Sequence, residues 1–481
     1  MDHDRCPPIL IYGLCPLPFE NTRKSFGPGI RTWQFAHSLQ QAGLPVHLLT
    51  MCIPGTYEGT EPVRRETRDG MVIERLDQEE FFDLDALAKV VEAIQPAALV
   101  GATMYGSSQL AKLDSDLPLW ADQFGHVMAE AQAKAHLEGA NWPLAYFWEV
   151  LEPILRRADR LSVVSEPQRY AAIGELGLAG RLSHQTCGYE FTATIPCALV
   201  PREQPDTRPV LRGSAYPEDA FVVFWSGGYN VWSDVDTLFH ALEKAMDEEP
   251  SIQFVSTGGE IGGHDETTYR RFEEAIAASP HSERYHLEGW VDAELVPSYE
   301  TEADLGVLSE IPIYEGMLGS KNRIVQWMGN GLPVLYNRVG DLGRLLESEG
   351  LGRTFAVGDV EGLAEQLVWA AHHRQELTEL AQRAQRYTRE NLSFEATTRE
   401  LVAWARDPRP APDAELRGSI RSLADYAPAP EPPEVQEIAE VQEPSSDNPE
   451  SPVEPEEATV APEAKEPVPS LLGRLRRRLV G

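Results

Sequence analysis

The sequence predicts an α/β chain of two doubly wound, parallel-sheet domains facing each other across a cleft, followed by an extended acidic tail. Three observations predict it. Short apolar strands alternate with longer helical stretches in two successive series, each on the scale of about 200 residues. The length of 481 residues exceeds what one core supports, because single cores stop growing near ~250–300 residues. The last part of the chain is dominated by Pro, Glu, Ala and Ser, and such text cannot bury enough apolar area to offset its ordering entropy.

Taken in order, the first series reads "PPILIYGL", "PVHLLTMC", "MVIERL", "AALVGAT", "PLWADQF", "ADRLSVVS" and "ATIPCALVP", with helical segments such as "RTWQFAHSLQQAG" between several of them. The second reads "FVVFWSGG", "SIQFVSTGG", "RYHLEGW", "ADLGVLSE", "LPVLYN" and "GRTFAV", separated by helices such as "VDTLFHALEKAMDEE" and "TYRRFEEAIAAS". A Pro- and charge-rich joint lies near 202–218. These patterns predict Rossmann-like domains over 1–205 and 206–406, a disordered Pro/Glu-rich linker over 407–469, and a short basic amphipathic helix over 470–481. In that helix Leu471, Leu472, Leu475 and Leu479 share one face and Arg474, Arg476, Arg477 and Arg478 surround the rest. The segment Leu471–Val480 suits an anionic membrane surface, a partner's groove, or the chain's own acidic body.

Charge narrows the partners. The chain has 42 basic and 76 acidic residues, for a net charge of −34, and 8 of the bases and 16 of the acids fall from Asp407 onward, so −26 remains on the part before it. A nucleic-acid partner needs a basic footprint and is excluded. No run of ~18 apolar residues suggests a membrane span, and the first forty residues lack the series expected of a signal peptide. Five cysteines in no Cys-x-x-Cys pair argue against a disulfide framework and structural zinc. The expected location is cytoplasmic, with a peripheral position at the inner membrane face open through the tail.

Glycine loops follow several predicted strands. Gly27, Pro28, Gly29 and Arg31 open a helix after the first strand, where free N–H groups suit an anion. The loop fails as a dinucleotide fingerprint because Thr32 stands at the third glycine position. Gly227 and Gly228 begin the second series, and Gly258 and Gly259 end its next strand. Trp225, Tyr229 and Trp232 beside them suit either interdomain packing or ligand contact. His264, Asp265 and Glu266 are adjacent in sequence and cannot all reach one ion comfortably; helix capping explains such acids, and no metal is expected.

The densest pattern is "RYHLEGWVDAELVPSYETEADLGVL" followed by "SEIPIYEGMLGSKNRIVQWMGNGLPVLYN". Gly289, Trp290 and Val291 end a strand where a flat base can stack and pair. Gly316, Ser320 and Asn322 precede or open a helix whose orphan amides suit a diphosphate, with Lys321 and Arg323 as counter-charges. These residues resemble the retaining glycosyltransferases of family 4 (glycosyl transferases group 1), densely over about 220–340 and loosely over 8–405. The resemblance implies the GT-B fold, a nucleotide-diphosphate sugar as co-substrate with no cofactor, and transfer with retention to a saccharide, lipid-linked or protein acceptor.

It also implies roles by position. The ribose-binding Glu of the family falls on Gln326, and the first acid of its Glu-x7-Glu pair on Leu318, so Glu315 is the substitute beside the donor sugar. The family's Arg and Lys after the first glycines of the second domain fall on Tyr229 and Asp234. Lys321, Arg323 and Arg31 are therefore expected to replace that diphosphate clamp. On the acceptor side the family's His falls on Phe124, which leaves Asp122 or His126 for a catalytic role. Because the clamp departs from the pattern, a GT-B binding scaffold without turnover and a nucleotide-sugar epimerase stand as alternatives.

Overall fold

A computed structural model describes residues 6–20, 22, 24, 26–57, 62–201, 208–212, 216–262 and 264–416. The segment Leu471–Val480 and most of the expected linker lie outside these residues. The first sheet contains β1 (Ile9–Cys15), β2 (Val46–Cys52), β3 (Arg65–Arg68), β4 (Met71–Leu76), β5 (Ala98–Gly101), β6 (Leu119–Asp122), β7 (Arg160–Val163) and β8 (Thr192–Thr194), in the spatial order β3-β4-β2-β1-β5-β6-β7-β8. All its pairings are parallel except β3 with β4. The second sheet, wholly parallel, contains β9 (Phe221–Ser226), β10 (Ile252–Thr257), β11 (Tyr285–Gly289), β12 (Leu305–Leu308), β13 (Val334–Asn337) and β14 (Arg353–Phe355), in the order β11-β10-β9-β12-β13-β14.

The period of two along β1 explains the double winding. Ile9, Ile11 and Cys15 enter a core with Phe35, Trp120 and Phe394, whereas Leu10, Tyr12 and Leu14 enter another with Phe81 and Leu99. Both faces are covered, as a parallel central strand requires. β3 escapes the hydrophobic pattern because its residues, Arg-Glu-Thr-Arg, are mostly exposed; it pairs only through the turn at Asp69 and Gly70, both at positive φ. The segment "ATIPCALVP" supplies only Ala193 and Thr194 of the three-residue β8.

Two boundaries differ from expectation. The helices Phe394–Thr397 and Arg399–Arg406 return to the first domain, where Phe394, Leu401 and Ala405 are buried in its core against the helix Gly27–Gln41. Residues 407–416 also pack: Ala411 is buried and its N–H donates to Asp159 (2.6 Å), while Arg181 grips Asp413 with two bonds of 2.5 and 3.0 Å. Composition alone placed these ten residues in the linker.

The chain passes between the domains beside itself. Leu199 N–H donates to Leu392 O (2.7 Å), and Leu199 bridges Ser393 in parallel register. Leu199 also lies against Gly329, where an added Cβ would fall 2.3 Å from its Cδ1.

Candidate functional site

The strand ends of the second domain are stitched together by main-chain bonds. Gly227 N–H donates to Thr257 O and Gly258 N–H to Gly289 O, both at 2.6 Å, and Tyr229 N–H donates to Gly259 O at 3.1 Å. Gly258 has φ +135, and a Cβ there would lie 2.2 Å from Gly227 O, so no other residue fits this crossing. Gly289, Trp290 and Val291 complete the third loop, where the Trp290 indole N–H donates to Glu260 O (3.0 Å) and its ring packs near Gly228 and Gly259. The ammonium of Lys24, from the first domain, stands 5.4 Å from that ring.

Tyr229 does not line this surface. Its side chain is buried, its hydroxyl bonds Ser256 Oγ (2.7 Å), and its ring stacks on Trp225 at 4.7 Å. The expected donor contact at this position is therefore corrected to core packing.

β12 runs directly into Ser309 and Glu310, and Glu310 organises the loop and short helix beyond it. Its carboxylate accepts from Tyr336 OH (2.6 Å) and pairs with Lys321 Nζ (3.0 Å), while its main-chain oxygen accepts from Asn337 Nδ2 (2.6 Å). Lys321 Nζ also bonds both oxygens of Glu315, at 2.9 and 3.3 Å, and lies 5.3 Å from the Trp232 ring. Burial opposes the charge on Lys321, but Glu310 and Glu315 outweigh it and hold its pKa above the ordinary value. Burial pushes the Glu315 carboxyl up; Lys321 counters and Glu310 adds to the rise. Lys321 therefore holds two carboxylates rather than standing open as a cation. Gly316 lets the short helix Tyr314–Leu318 pack on Val339, where a Cβ would sit 3.3 Å from Cγ2.

The helix Asn322–Asn330 has no side-chain cap and no acid in its first turn, so its leading N–H groups present partial positive charge. Asn322 faces the first domain: a Cβ on Gly27 would lie 3.0 Å from its Nδ2. Ser320 precedes it, half-buried. Arg323 Nη2 donates to Gly228 O (2.8 Å), its guanidinium lies 4.9 Å from the Trp225 ring, and burial lowers its pKa. Among the described residues, Arg323 Nη1, Thr257 Oγ1, Ser309 Oγ and Asn337 Oδ1 are buried without a hydrogen-bond partner. All four belong to the ends of β10, β12 and β13 or to the start of this helix.

Gln326 is placed otherwise than expected. Its Oε1 accepts from Val200 N–H (3.1 Å) and its Nε2 donates to Ala198 O (2.9 Å), so the amide is spent on the chain between the domains and not left for a ribose.

The first-domain candidates are corrected in the same way. Arg31 and Asp122, both fully buried, form a two-point pair at 2.7 and 3.1 Å. Arg31 Nη1 donates further to Gln34 (3.0 Å) and Ile195 O (2.7 Å), and Asp122 accepts from Ser162 Oγ (2.7 Å) and Thr103 N–H (3.2 Å). Arg31 thus has no fork left for a phosphate, and Asp122 no lone pair left for acid–base work. Gly29 serves close packing, since its Cβ would fall 1.9 Å from Pro16 O.

His126 caps the helix Val127–Glu138, its Nδ1 accepting from Ala129 N–H (3.1 Å), so Nε2 carries the proton toward Glu175 (3.3 Å). Burial lowers the pKa of His126 and pushes that of Glu175 up to about 7. The ring borders a cavity of about 660 Å³, which is also lined by Met128, Gln132 and Leu144 and, from the second domain, by Tyr314 and Leu318. Asp265 Oδ1 accepts from Thr267 and Thr268 N–H where the helix Thr268–Ala277 begins, and His264 Nδ1 lies 2.8 Å from Lys134 Nζ across the domains.

Sequence reasoning missed Glu310, Thr257, Ser309 and Asn337. The signal that could have found them was positional: each is the last residue of a strand or one of the first two after it, where an open α/β sheet places its ligand.

The family model of the glycosyl transferases group 1 matches residues 220–373. Among solved structures the chain is similar to sucrose-phosphate synthase from Thermosynechococcus elongatus, with a TM-score of 0.63 and 18% identity over 83% of this chain and 98% of that one. It is also similar to HepE of Anabaena in complex with UDP and glucose (TM-score 0.57, 16% identity, 83% and 99% covered). It is similar as well to the structure of trehalose-6-phosphate from E. coli bound with UDP-2-fluoro glucose (TM-score 0.59, 11% identity, 84% and 100% covered). No curated protein matches the sequence. Residues 220–373 are therefore a glycosyltransferase domain of group 1, carried in a chain with the two-domain GT-B fold.

Proposed function

We propose that this chain transfers a sugar from a nucleotide-diphosphate sugar to an acceptor bound on the first-domain side of the cleft, with retention at the anomeric carbon and without a metal ion. The observation that carries the reading is Arg323. Its guanidinium is buried beside Gly227 and Gly228, bonds only Gly228 O, and keeps Nη1 unpartnered among the described residues at the start of an uncapped helix. A diphosphate seated there receives one cation and the leading amides, which meet the charge that develops as the sugar leaves.

Glu315, held by Lys321, takes the transferred sugar's hydroxyls. The base lies against Gly289, Trp290 and Val291. The neighbours named with UDP, UDP-2-fluoro glucose and glucose support a nucleotide sugar and a saccharide as partners. With Asp122 locked to Arg31, no free carboxylate faces the cleft from β6, which favours front-side displacement over a covalent intermediate.

The test is thermal shift against a panel of nucleotide-diphosphate sugars, followed by donor hydrolysis and transfer on any hit. A ligand at ~100 times its Kd adds ~2.7 kcal/mol, so one donor is expected to raise Tm and Arg323→Ala to remove that rise. A binding scaffold is the second reading, favoured by the commitment of Gln326 and Arg31 to internal bonds. Donor binding without hydrolysis or transfer selects it, and conversion of the donor with no acceptor selects an epimerase. No shift with any nucleotide overturns the proposal.

A further inference from the structure

We propose that Cys15 and Cys52 form a reversible redox site that exchanges with a small-molecule disulfide. They are the last residues of β1 and β2 and are Cα partners in the parallel register. Neighbouring strands lie ~4.8 Å apart, inside the ~4.4–6.8 Å range of Cα separations that a disulfide spans. Their sulfurs are 3.6 Å apart, and both side chains belong to the same face of the sheet, against the helix Gly27–Gln41.

The two thiols are not equivalent. Cys15 is buried and Cys52 half-buried, so an external reagent meets Cys52 first. The hydrogen bond from Cys15 lowers the Cys52 pKa against the effects of burial and Glu20, and Arg75 and Arg64 add to the lowering; burial raises that of Cys15. Thr50, Tyr57 and the Met51 main-chain oxygen, which accepts from Cys15 Sγ at 3.2 Å, also stand around the pair.

The chemistry balances with a disulfide such as oxidised glutathione as the oxidant. The Cys52 thiolate attacks one sulfur, forming a mixed disulfide and releasing one glutathione thiolate, which takes the Cys15 proton. The Cys15 thiolate then attacks the Cys52 sulfur, closing the Cys15–Cys52 bond and expelling the second glutathione thiolate, which is protonated by solvent. Two protein thiols are oxidised and one external disulfide is reduced to two thiols.

The experiment is peptide mapping of the full chain after exposure to oxidised glutathione and a denaturing alkylation quench. Cys6 and Cys187 are exposed and report that the oxidant was active. Wild type is expected to yield a Cys15–Cys52 crosslinked peptide that dithiothreitol removes. Cys15→Ser is expected to stop at a glutathione adduct on Cys52, and Cys52→Ser to leave Cys15 as a free thiol. Recovery of both thiols unmodified in wild type while Cys6 and Cys187 carry adducts overturns the proposal. So does a lasting glutathione adduct on wild-type Cys52, a result that needs no variant to fold.

Discussion

Lys321 sits between Glu310 and Glu315, all three nearly shut off from solvent, and removing one member of such a set leaves charge uncompensated. Lys321→Ala is expected to lower unfolding free energy by about 3–5 kcal/mol at neutral pH. The deficit should shrink in acid. A carboxyl whose folded pKa is raised, as that of Glu315 is, contributes stability below its unfolded pKa and loses it as pH rises. Urea titrations at several pH values check both points. Glu175 gives a cleaner case. Burial raises its pKa from 4.5 to about 7, so its contribution is complete below pH 4.5 and fades toward pH 7, by on the order of 3 kcal/mol. Glu175→Gln is expected to flatten that slope of stability against pH, and an unchanged slope would refute the assignment. Asp122 separates stability from catalysis: Asp122→Ala strands the Arg31 guanidinium in the core and is expected to cost about 3–5 kcal/mol, measured as a fall in denaturation midpoint. At this scale the sequence was a partial guide. It named residue types suited to the chemistry, but whether an Arg or Gln is open to a ligand depends on partners such as Asp122 and Val200, which lie 91 and 126 residues away along the chain.

Among the elements, the helix Asn322–Asn330 has the most to do, since one end faces the glycine loops and its middle grips the chain at 198–200. Gln326→Ala is expected to leave Val200 N–H and Ala198 C=O unpaired, at about 1–3 kcal/mol. Gln326→Glu restores an acceptor for Val200 but sets an oxygen against Ala198 O, so it too should lower Tm. Were the side chain a ribose ligand instead, the Glu variant would keep its stability and change donor affinity. Most elements were legible because parallel central strands are continuous apolar runs and their helices are amphipathic. β3 was not, because an exposed polar edge carries no hydrophobic period, and the return of Phe394–Arg406 to the first domain was not, because periodicity records which face is buried and says nothing of the partner that covers it.

For the whole molecule, charge sets the expectation. The chain before Asp407 carries −26, whereas the segment 470–481 carries four Arg among four Leu and no acid. Deleting 470–481 is expected to reduce co-sedimentation with anionic vesicles at low salt, and equal sedimentation of both forms would rule out a membrane role for that segment. The two-domain division was legible from the two strand series and the Pro-rich joint. The way the domains are tied was not, since it depends on Leu199 meeting Leu392 and Ser393. That tie has a mechanical consequence. The two interdomain passages are bonded to each other and seated on the middle and far end of the Asn322–Asn330 helix, at Gln326 and Gly329, while Asn322 and Arg323 stand at its near end, about 5 Å from Gln326 and about 10 Å from Gly329 at ~1.5 Å per residue. The interdomain tie and the proposed diphosphate site are thus carried on one rigid helix, so a swing of either domain is felt at Asn322 and Arg323.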